Sequence, residues 1–242
     1  MKKKLIEKFK TIIYALIIAL LIRTFFFQPF YIPSSSMEPN LLIGDRLFVS
    51  KYSYGYSRHS FPFIPKFSNK RYLVKKPERG DVIVFKTPAD NRTDYIKRLI
   101  GMPGDVLEII NGDIFLNQEI IPRKKVDLQL NISCGDEILD IITYEEKLPN
   151  GKTYIAVYRK EGTLMNTDRF IVPDEHYFFM GDNRDCSKDS RFLSSVGYVH
   201  FNNFVGKARL IFFLSDKKVG NFFKFWKWHK SFRFKRFFVK IK

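Results

Sequence analysis

Residues 11–27 read TIIYALIIALLIRTFFF, an apolar run broken only by Arg23. No other feature of the sequence limits the fold as strongly. As a helix these 17 residues extend about 25 Å at 1.5 Å per residue, the short end for a membrane span. Arg23 lies near the far end, where its guanidinium can reach toward lipid headgroups. Lys2, Lys3, Lys4, Lys8 and Lys10 precede the run, against the single acid Glu7. Cations in this excess stay on the cytoplasmic side. The expected arrangement is a cytoplasmic N-terminus over 1–10, a transmembrane anchor over 11–28, and the remaining chain outside the cytoplasm. Two other readings compete. A cleaved leader needs a small-residue site, and Phe25-Phe26-Phe27-Gln28-Pro29 offers none. A buried helix of a soluble core does not account for the lysines gathered at one end.

The body reads as mostly strands. Arg46–Lys51, Asp81–Phe85 and Asp94–Ile100 are short, β-branched and aromatic. Val106–Ile110 and Ile114–Asn117 flank Asn111-Gly112-Asp113, and Asn-Gly between apolar runs is a strong hairpin signal. Lys152–Arg159 alternates with period two, and Glu175–Met180 and Val205–Phe213 complete the set. The expected fold class is mainly β: a β-rich core over 29–117 and 173–216, an inserted β subdomain over 118–172, and a long surface loop over 52–77.

Charge enters the argument through its position. The chain carries 42 Lys and Arg against 25 Asp and Glu, a net +17. Such an excess attracts nucleic acid or an anionic membrane. Residues 217–242 form a tail with ten cations and no acid, interleaved with Trp226, Trp228 and many Phe. Its alternation (Phe232, Phe234; Val239, Ile241) leaves strand and interfacial helix both open. Outside the cytoplasm, anionic lipid is the expected partner and nucleic acid is not. Cys134 and Cys186 belong to no C-x-x-C pair, which argues against zinc or a dithiol redox site. In an oxidising compartment they could pair, but spacing does not show that they meet.

Three short segments carry candidate chemistry. Pro33-Ser34-Ser35-Ser36-Met37-Glu38-Pro39 follows the anchor; serines near prolines are, taken alone, turns. In Asp94-Tyr95-Ile96-Lys97-Arg98-Leu99-Ile100, strand alternation puts Lys97 on the face of Tyr95 and Leu99. Apolar surroundings strip a lysine of water and lower its pKa, and a neutral amine is a base. The plain alternative is an edge-strand lysine in water with Arg98 beside it. Gly181-Asp182-Asn183-Arg184-Asp185-Cys186-Ser187-Lys188-Asp189-Ser190-Arg191 reads alone as an Asx-turn loop with internal ion pairs. Its spacing does not fit an EF-hand calcium loop, so no metal site is expected. No G-x-S-x-G, H-E-x-x-H or P-loop occurs, and His59, His176, His200 and His229 sit in no catalytic motif.

The order of these segments is more telling than any one of them. An anchor is followed by Ser-x-Ser-Met-x-Pro, then Arg79-Gly80-Asp81-Val82-Ile83-Val84-Phe85. Tyr-Ile-Lys-Arg-x-Ile-Gly-x-Pro-Gly-Asp from Tyr95 comes next, and then the loop from Gly181. From the anchor to about Phe213 the chain resembles bacterial type I signal peptidases, the Ser/Lys-dyad serine proteases of the cytoplasmic membrane. The resemblance implies a β-rich catalytic core with an inserted subdomain on the periplasmic side, held by one anchor. It implies endoproteolytic removal of signal peptides from exported preproteins, after small residues at −1 and −3, without a cofactor. Carried onto this chain, Ser36 is the nucleophile and Lys97 the general base. Ser34 shares the oxyanion hole with the Ser36 amide, Ser187 hydrogen-bonds and orients Lys97, and Asp189 and Arg191 support the loop. Ser35 stands where relatives often have glycine, and some relatives have two spans. The tail lies outside the motifs.

Overall fold

A computed structural model describes residues 2–60, 70–135, 137–214 and 236–241. Helix α1 covers Lys2–Phe25. Strands follow in the order β1 Phe27–Tyr31, β2 Asp45–Ser50, β3 Val82–Lys86, β4 Asp94–Gly101, β5 Val106–Ile110, β6 Asp113–Leu116, β7 Glu119–Ile120, β8 Arg123–Val126 and β9 Ser133–Cys134. They continue as β10 Glu137–Ile138, β11 Ile141–Lys147, β12 Thr153–Arg159, β13 Phe170–Ile171, β14 His176–Met180, β15 Val199–His200, β16 Phe204–Leu214 and β17 Val239–Lys240. The fold is mainly β.

The main sheet is antiparallel, with the order β1-β2-β16-β3-β4-β14-β15 and β17 added on β16. β3 lies inside it and is covered on both faces. Val82 and Val84 pack with Met37, Leu41 and Leu47, while Ile83 and Phe85 pack with Phe179 and Phe204. An unbroken apolar run such as Val-Ile-Val-Phe is what a strand buried on both sides requires. The first of these clusters lies under the serine segment, so burying Met37 anchors the chain just after Ser36.

The hairpin forms where Asn111-Gly112 predicts it. Both turn residues take positive φ, 52° and 79°, the conformation Asn and Gly tolerate best. Ile110 pairs with Asp113, so the second strand begins one residue before the apolar run. Residues 118–172 contain β8, β11 and β12, which make a separate three-stranded sheet. The flanking strands β7 and β13 pair instead with β6 and β5. A four-stranded sheet thus joins that segment to the part before residue 117.

The N-terminus differs from the expected span over 11–28. α1 ends at Phe25 and Phe27 already pairs with Ser50. Within that range the helix therefore runs only from Thr11 to Phe25, about 22 Å at 1.5 Å per residue. Among the described residues no helix is long and apolar enough to cross a membrane. The physical reason lies in the charges, since Lys8 and Lys10 bound the apolar stretch on one side and Arg23 on the other. The large apolar side chains of α1, among them Ile12, Leu16, Ile18, Leu20 and Leu21, are exposed.

Most of the tail read over 217–242 lies outside the described residues, but its end does not. β17 pairs with β16 through Ile211↔Val239, and Phe237 meets the Phe213 ring edge-on. Arg236 donates to Asp45 Oδ2 at 2.7 Å and to Asn40 O at 2.9 Å. Asp45 is fully buried and also accepts from the Leu42 amide. Removing one partner of a buried charged contact leaves the other desolvated. Arg236→Ala should cost about 2 kcal/mol, or roughly 4–8 °C in Tm for a chain of this size. Thermal unfolding within 1 °C of wild type would show that this contact contributes little.

Candidate active site

Three segments meet at one point: the serine turn after β1, the middle of β4, and the loop after β14. Lys97 is 4% exposed and Ser36 is 6% exposed. Lys97 Nζ donates to Ser36 Oγ at 2.7 Å and to the Ile96 carbonyl at 3.1 Å. The Tyr95 ring centroid lies 5.3 Å from Nζ. Ser34 is exposed, and its Oγ sits 3.4 Å from Ser36 Oγ.

Burial is the main influence on the lysine. It lowers the Lys97 pKa to about 8, against the opposing pull of the Asp189 and Asp182 carboxylates and with some help from Arg191. Both carboxylates are already engaged. Asp182 takes Arg98 Nε and Nη2 at 2.8 Å each. Asp189 takes Arg191 Nε at 2.8 Å and Nη2 at 2.9 Å, and the Gly181 amide at 2.9 Å. Burial pushes the Asp189 carboxyl up, but the charge and hydrogen bond of Arg191, together with hydrogen bonds from the Gly181 amide and Ser187, leave it below its usual range. Each acid near the amine thus has its own guanidinium.

Arg98, the neighbour of Lys97, is as buried as the lysine and not in water. It also donates to Gly80 O at 2.9 Å, and its guanidinium lies 4.2 Å from the Tyr154 ring centroid. Asp182 receives a further bond from Asn40 Nδ2 at 2.7 Å. Asn183 binds the serine turn twice, its amide to Ser36 O at 3.1 Å and its Nδ2 to Ser35 O at 3.2 Å. Gly181 permits this approach. A Cβ there would lie 2.2 Å from Ser187 Oγ and 2.5 Å from Ser36 O, closer than such atoms ever come.

The expected roles divide accordingly. Ser36 and Lys97 are in direct contact, Ser34 stands beside them, and Asp189 and Arg191 form a buried pair within the loop. Ser187 is buried against Gly181 and makes no hydrogen bond to Lys97; its hydroxyl acts on the Asp189 carboxylate. The amine is held by Ser36 and the Ile96 carbonyl instead. Sequence reading also missed Asn40, Asp182 and Asn183. The last two stand in the Gly181 motif, where two side chains able to accept or donate were a usable signal; Asn40 carried none.

Behind the loop, Arg184 donates to Gly181 O at 3.1 Å and to Glu146 Oε1 and Oε2 at 2.8 and 2.6 Å. Tyr154 and Tyr158 also donate to Glu146, at 2.7 and 2.6 Å. Cys186 is disulfide-bonded to Cys134, with Cα atoms 5.5 Å apart. The loop is therefore fastened to β11, β12 and β9. Among the histidines, His59 lies beside Arg58 on another part of the chain and His176 meets His200 edge-on. His229 lies outside the described residues.

Comparison with known proteins gives the family. The family described as "Signal peptidase, peptidase S26" matches residues 5–213. The signal peptidase I of Rickettsia bellii strain OSU 85-389 is 40% identical over 96% of this chain and 84% of its own. That of Rickettsia typhi is 38% identical over 97% of this chain and 93% of its own. A crystal structure of a signal peptidase I from Enterococcus faecalis V583 aligns with 55% of this chain and 97% of its own, at 25% identity and a TM-score of 0.32. The chain is a serine endopeptidase. It belongs to the signal peptidase family, peptidase S26.

The buried amine has a consequence for stability. An unfolded lysine titrates near 10.5 and Lys97 near 8. Below pH 8 the fold must hold an ammonium in a site that disfavours it. Between pH 8 and 10.5 the unfolded chain binds the extra proton, so stability rises with pH. The full difference is roughly 3 kcal/mol at 1.36 per unit. Lys97→Met should therefore be more stable than wild type at pH 7, with the gap narrowing above pH 8. Denaturant titrations at pH 7 and 10 test this, and a gap that widens with pH would contradict the assigned burial effect.

Proposed function

We propose that the protein removes signal peptides from exported preproteins, with Ser36 as nucleophile and Lys97 as general base. The observation that carries this reading is the 2.7 Å contact between Lys97 Nζ and Ser36 Oγ, made by an amine that burial brings close to neutrality. A hydroxyl attacks a peptide carbonyl only as a base takes its proton. Neutral Lys97 takes it, and Ser36 Oγ bonds to the carbonyl carbon. The Ser36 amide and the Ser34 hydroxyl then stabilise the oxyanion, a contribution of about 3–4 kcal/mol per donor in comparable sites. The ammonium of Lys97 returns its proton to the leaving amine, and water releases the acyl-enzyme by the same route in reverse. Asn183, bound to the Ser35 and Ser36 carbonyls, holds the nucleophile's backbone while this happens.

An extended substrate strand fits beside a β-sheet edge, where backbone pairing gives affinity and pockets for alternate side chains give selectivity. The preference for small residues at −1 and −3 is the expectation of the family resemblance. For location, the protein sits at the bacterial cytoplasmic membrane through α1, whose exposed Ile and Leu side chains need an apolar neighbour. The Cys134–Cys186 disulfide favours a catalytic body on the oxidising, extracytoplasmic side. The cations of the tail add attraction to anionic lipid, and nucleic acid has no place there.

Cleavage of a preprotein should be abolished by Ser36→Ala. Lys97→Arg should be as inactive as Lys97→Met, since arginine cannot shed its proton in this pH range. The acidic limb of kcat/KM should fall near pH 8, the value to which Lys97 is lowered, and not at a histidine-like value. Substantial turnover by the arginine variant at pH 8, with the protein folded, would remove Lys97 as the base.

A further inference from the structure

The serine segment is an excursion of the chain that leaves β1 at Tyr31 and returns to β2 at Asp45. Two hydrogen bonds of 2.9 Å close its base, from the Ile32 amide to Asp45 O and from the Gly44 amide to Ile32 O. Within it, Ser36 is held at 2.7 Å from Lys97 Nζ. Asn183 secures the near side of the turn through the Ser35 and Ser36 carbonyls. Asn40 secures the far side. Its Nδ2 donates at 2.7 Å to Asp182 Oδ2 and at 2.7 Å to the Ile155 carbonyl. Met37 and Leu41, on either side of that asparagine, are fully buried.

The backbone of Asn40 is gripped from the other end of the chain. Arg236 Nη2 donates to Asn40 O at 2.9 Å and to Asp45 Oδ2 at 2.7 Å, so one guanidinium nitrogen joins the far side of the turn to its base. Asp45 is itself fixed, because the same oxygen accepts from the Leu42 amide at 2.8 Å. A planar guanidinium holds two acceptors with little further loss of freedom. The residues after Arg236 are docked as well. Val239 and Lys240 pair with Ile211 and Leu210, the Ile241 amide donates to Arg209 O at 3.0 Å, and the Ile241 side chain packs on the cluster of Met37 and Leu41. A peptide group is planar, and each residue turns on two soft dihedrals. Holding Asn40 O therefore sets the direction in which the Asn40 side chain leaves toward Asp182.

We infer that Arg236 is a positioning residue for the reaction: acting through Asn40, it seats the serine segment on Asp182 and so holds Ser36 at Lys97. The inference rests on the function proposed above. It gives the end of the tail, which stands outside every sequence motif, a part in turnover that is separate from attraction to lipid.

The test uses the full chain in mild detergent and a peptide that carries a signal-peptide cleavage region. Each variant is assayed below its own unfolding transition. A displacement of about 1 Å at a reacting group costs about a hundredfold in rate, and a loosened turn moves less than that. Arg236→Gln should lower kcat about tenfold and leave KM within about twofold of wild type, the pattern of a loss confined to the transition state. Asn40→Ala should do the same. Since both act through one side chain, the double variant should lose about tenfold and not the roughly hundredfold of independent sites. Leu116→Ala, a core change in the four-stranded sheet, should unfold at lower temperature yet keep the wild-type kcat. Where Arg236→Gln does not fold, Arg236→Lys takes its place in the same comparison, since a point charge on a flexible stem lacks the planar fork. A wild-type kcat in the folded Arg236 variant, additive losses in the double variant, or an equal loss in Leu116→Ala would overturn the inference. If wild type leaves the peptide uncut, or Ser36→Ala still cuts it, the proposed function falls and this inference with it. Wild type that cuts, with Ser36→Ala inactive and the Arg236 variant at full rate, removes this inference alone.

Discussion

The Asp182 carboxylate is the point on which the site depends. One side of it receives the Arg98 guanidinium from β4, next to the strand position of Lys97. Its Oδ2 also receives Asn40, four residues beyond Ser36. Its own chain neighbour Asn183 holds the Ser36 carbonyl. Three segments distant in sequence are thus registered by one buried group and its flanking residue. A buried ion pair is weak evidence for net stability, since desolvation consumes most of the attraction. Its better-supported use is to fix one arrangement among several, and here it registers the segments that make the 2.7 Å contact between Lys97 and Ser36.

A lysine proposed as a base must be buried without being neutralised by an acid. Two carboxylates near Lys97 would hold its proton and raise its pKa. Here Asp182 is engaged by Arg98 and Asp189 by Arg191, so desolvation prevails and the value falls to about 8. Arg184, Glu146, Tyr154 and Tyr158 extend the same logic outward. Every charge in that group meets an opposite charge or a hydroxyl, which lets the loop be packed against β11 and β12 without an orphaned ion.

Features governed by local rules were legible in the sequence. The Asn111-Gly112 turn, the doubly buried Val82–Phe85 run and the strand character of β4 follow from backbone preference and alternation. Ser36 and Lys97 were singled out from the order of their motifs, and the fold brings the two side chains into contact although 61 residues separate them. Features that depend on meeting across the fold were not legible. Cys134 and Cys186 bond because β9 lies beside the loop, a proximity that no spacing reveals. Ser187 was expected at Lys97 but packs on Gly181, since the direction of a loop side chain is set by its neighbours and not by its position in a motif. Glu145 and Glu146 are adjacent acids that no motif marks; strand alternation buries Glu146 and exposes Glu145. The helix end was misplaced because Phe25-Phe26-Phe27 is equally apolar as helix or strand, and pairing with β2 decides the matter.

The junction between α1 and β1 has a geometric consequence. Only Phe26 separates them, and it is fixed: its carbonyl accepts from the Lys51 amide, while the Phe25 carbonyl accepts from Tyr56 Oη. Ser36 follows within eleven residues of the helix end, a path of no more than about 35–40 Å even if fully extended. With no slack in the joint, the helix and Ser36 act as a ruler of fixed length. On the proposed membrane reading, the depth of α1 in the lipid sets the height at which Ser36 works. A peptide bond is then selected twice, once by the side chains around it and once by how far it stands from the bilayer.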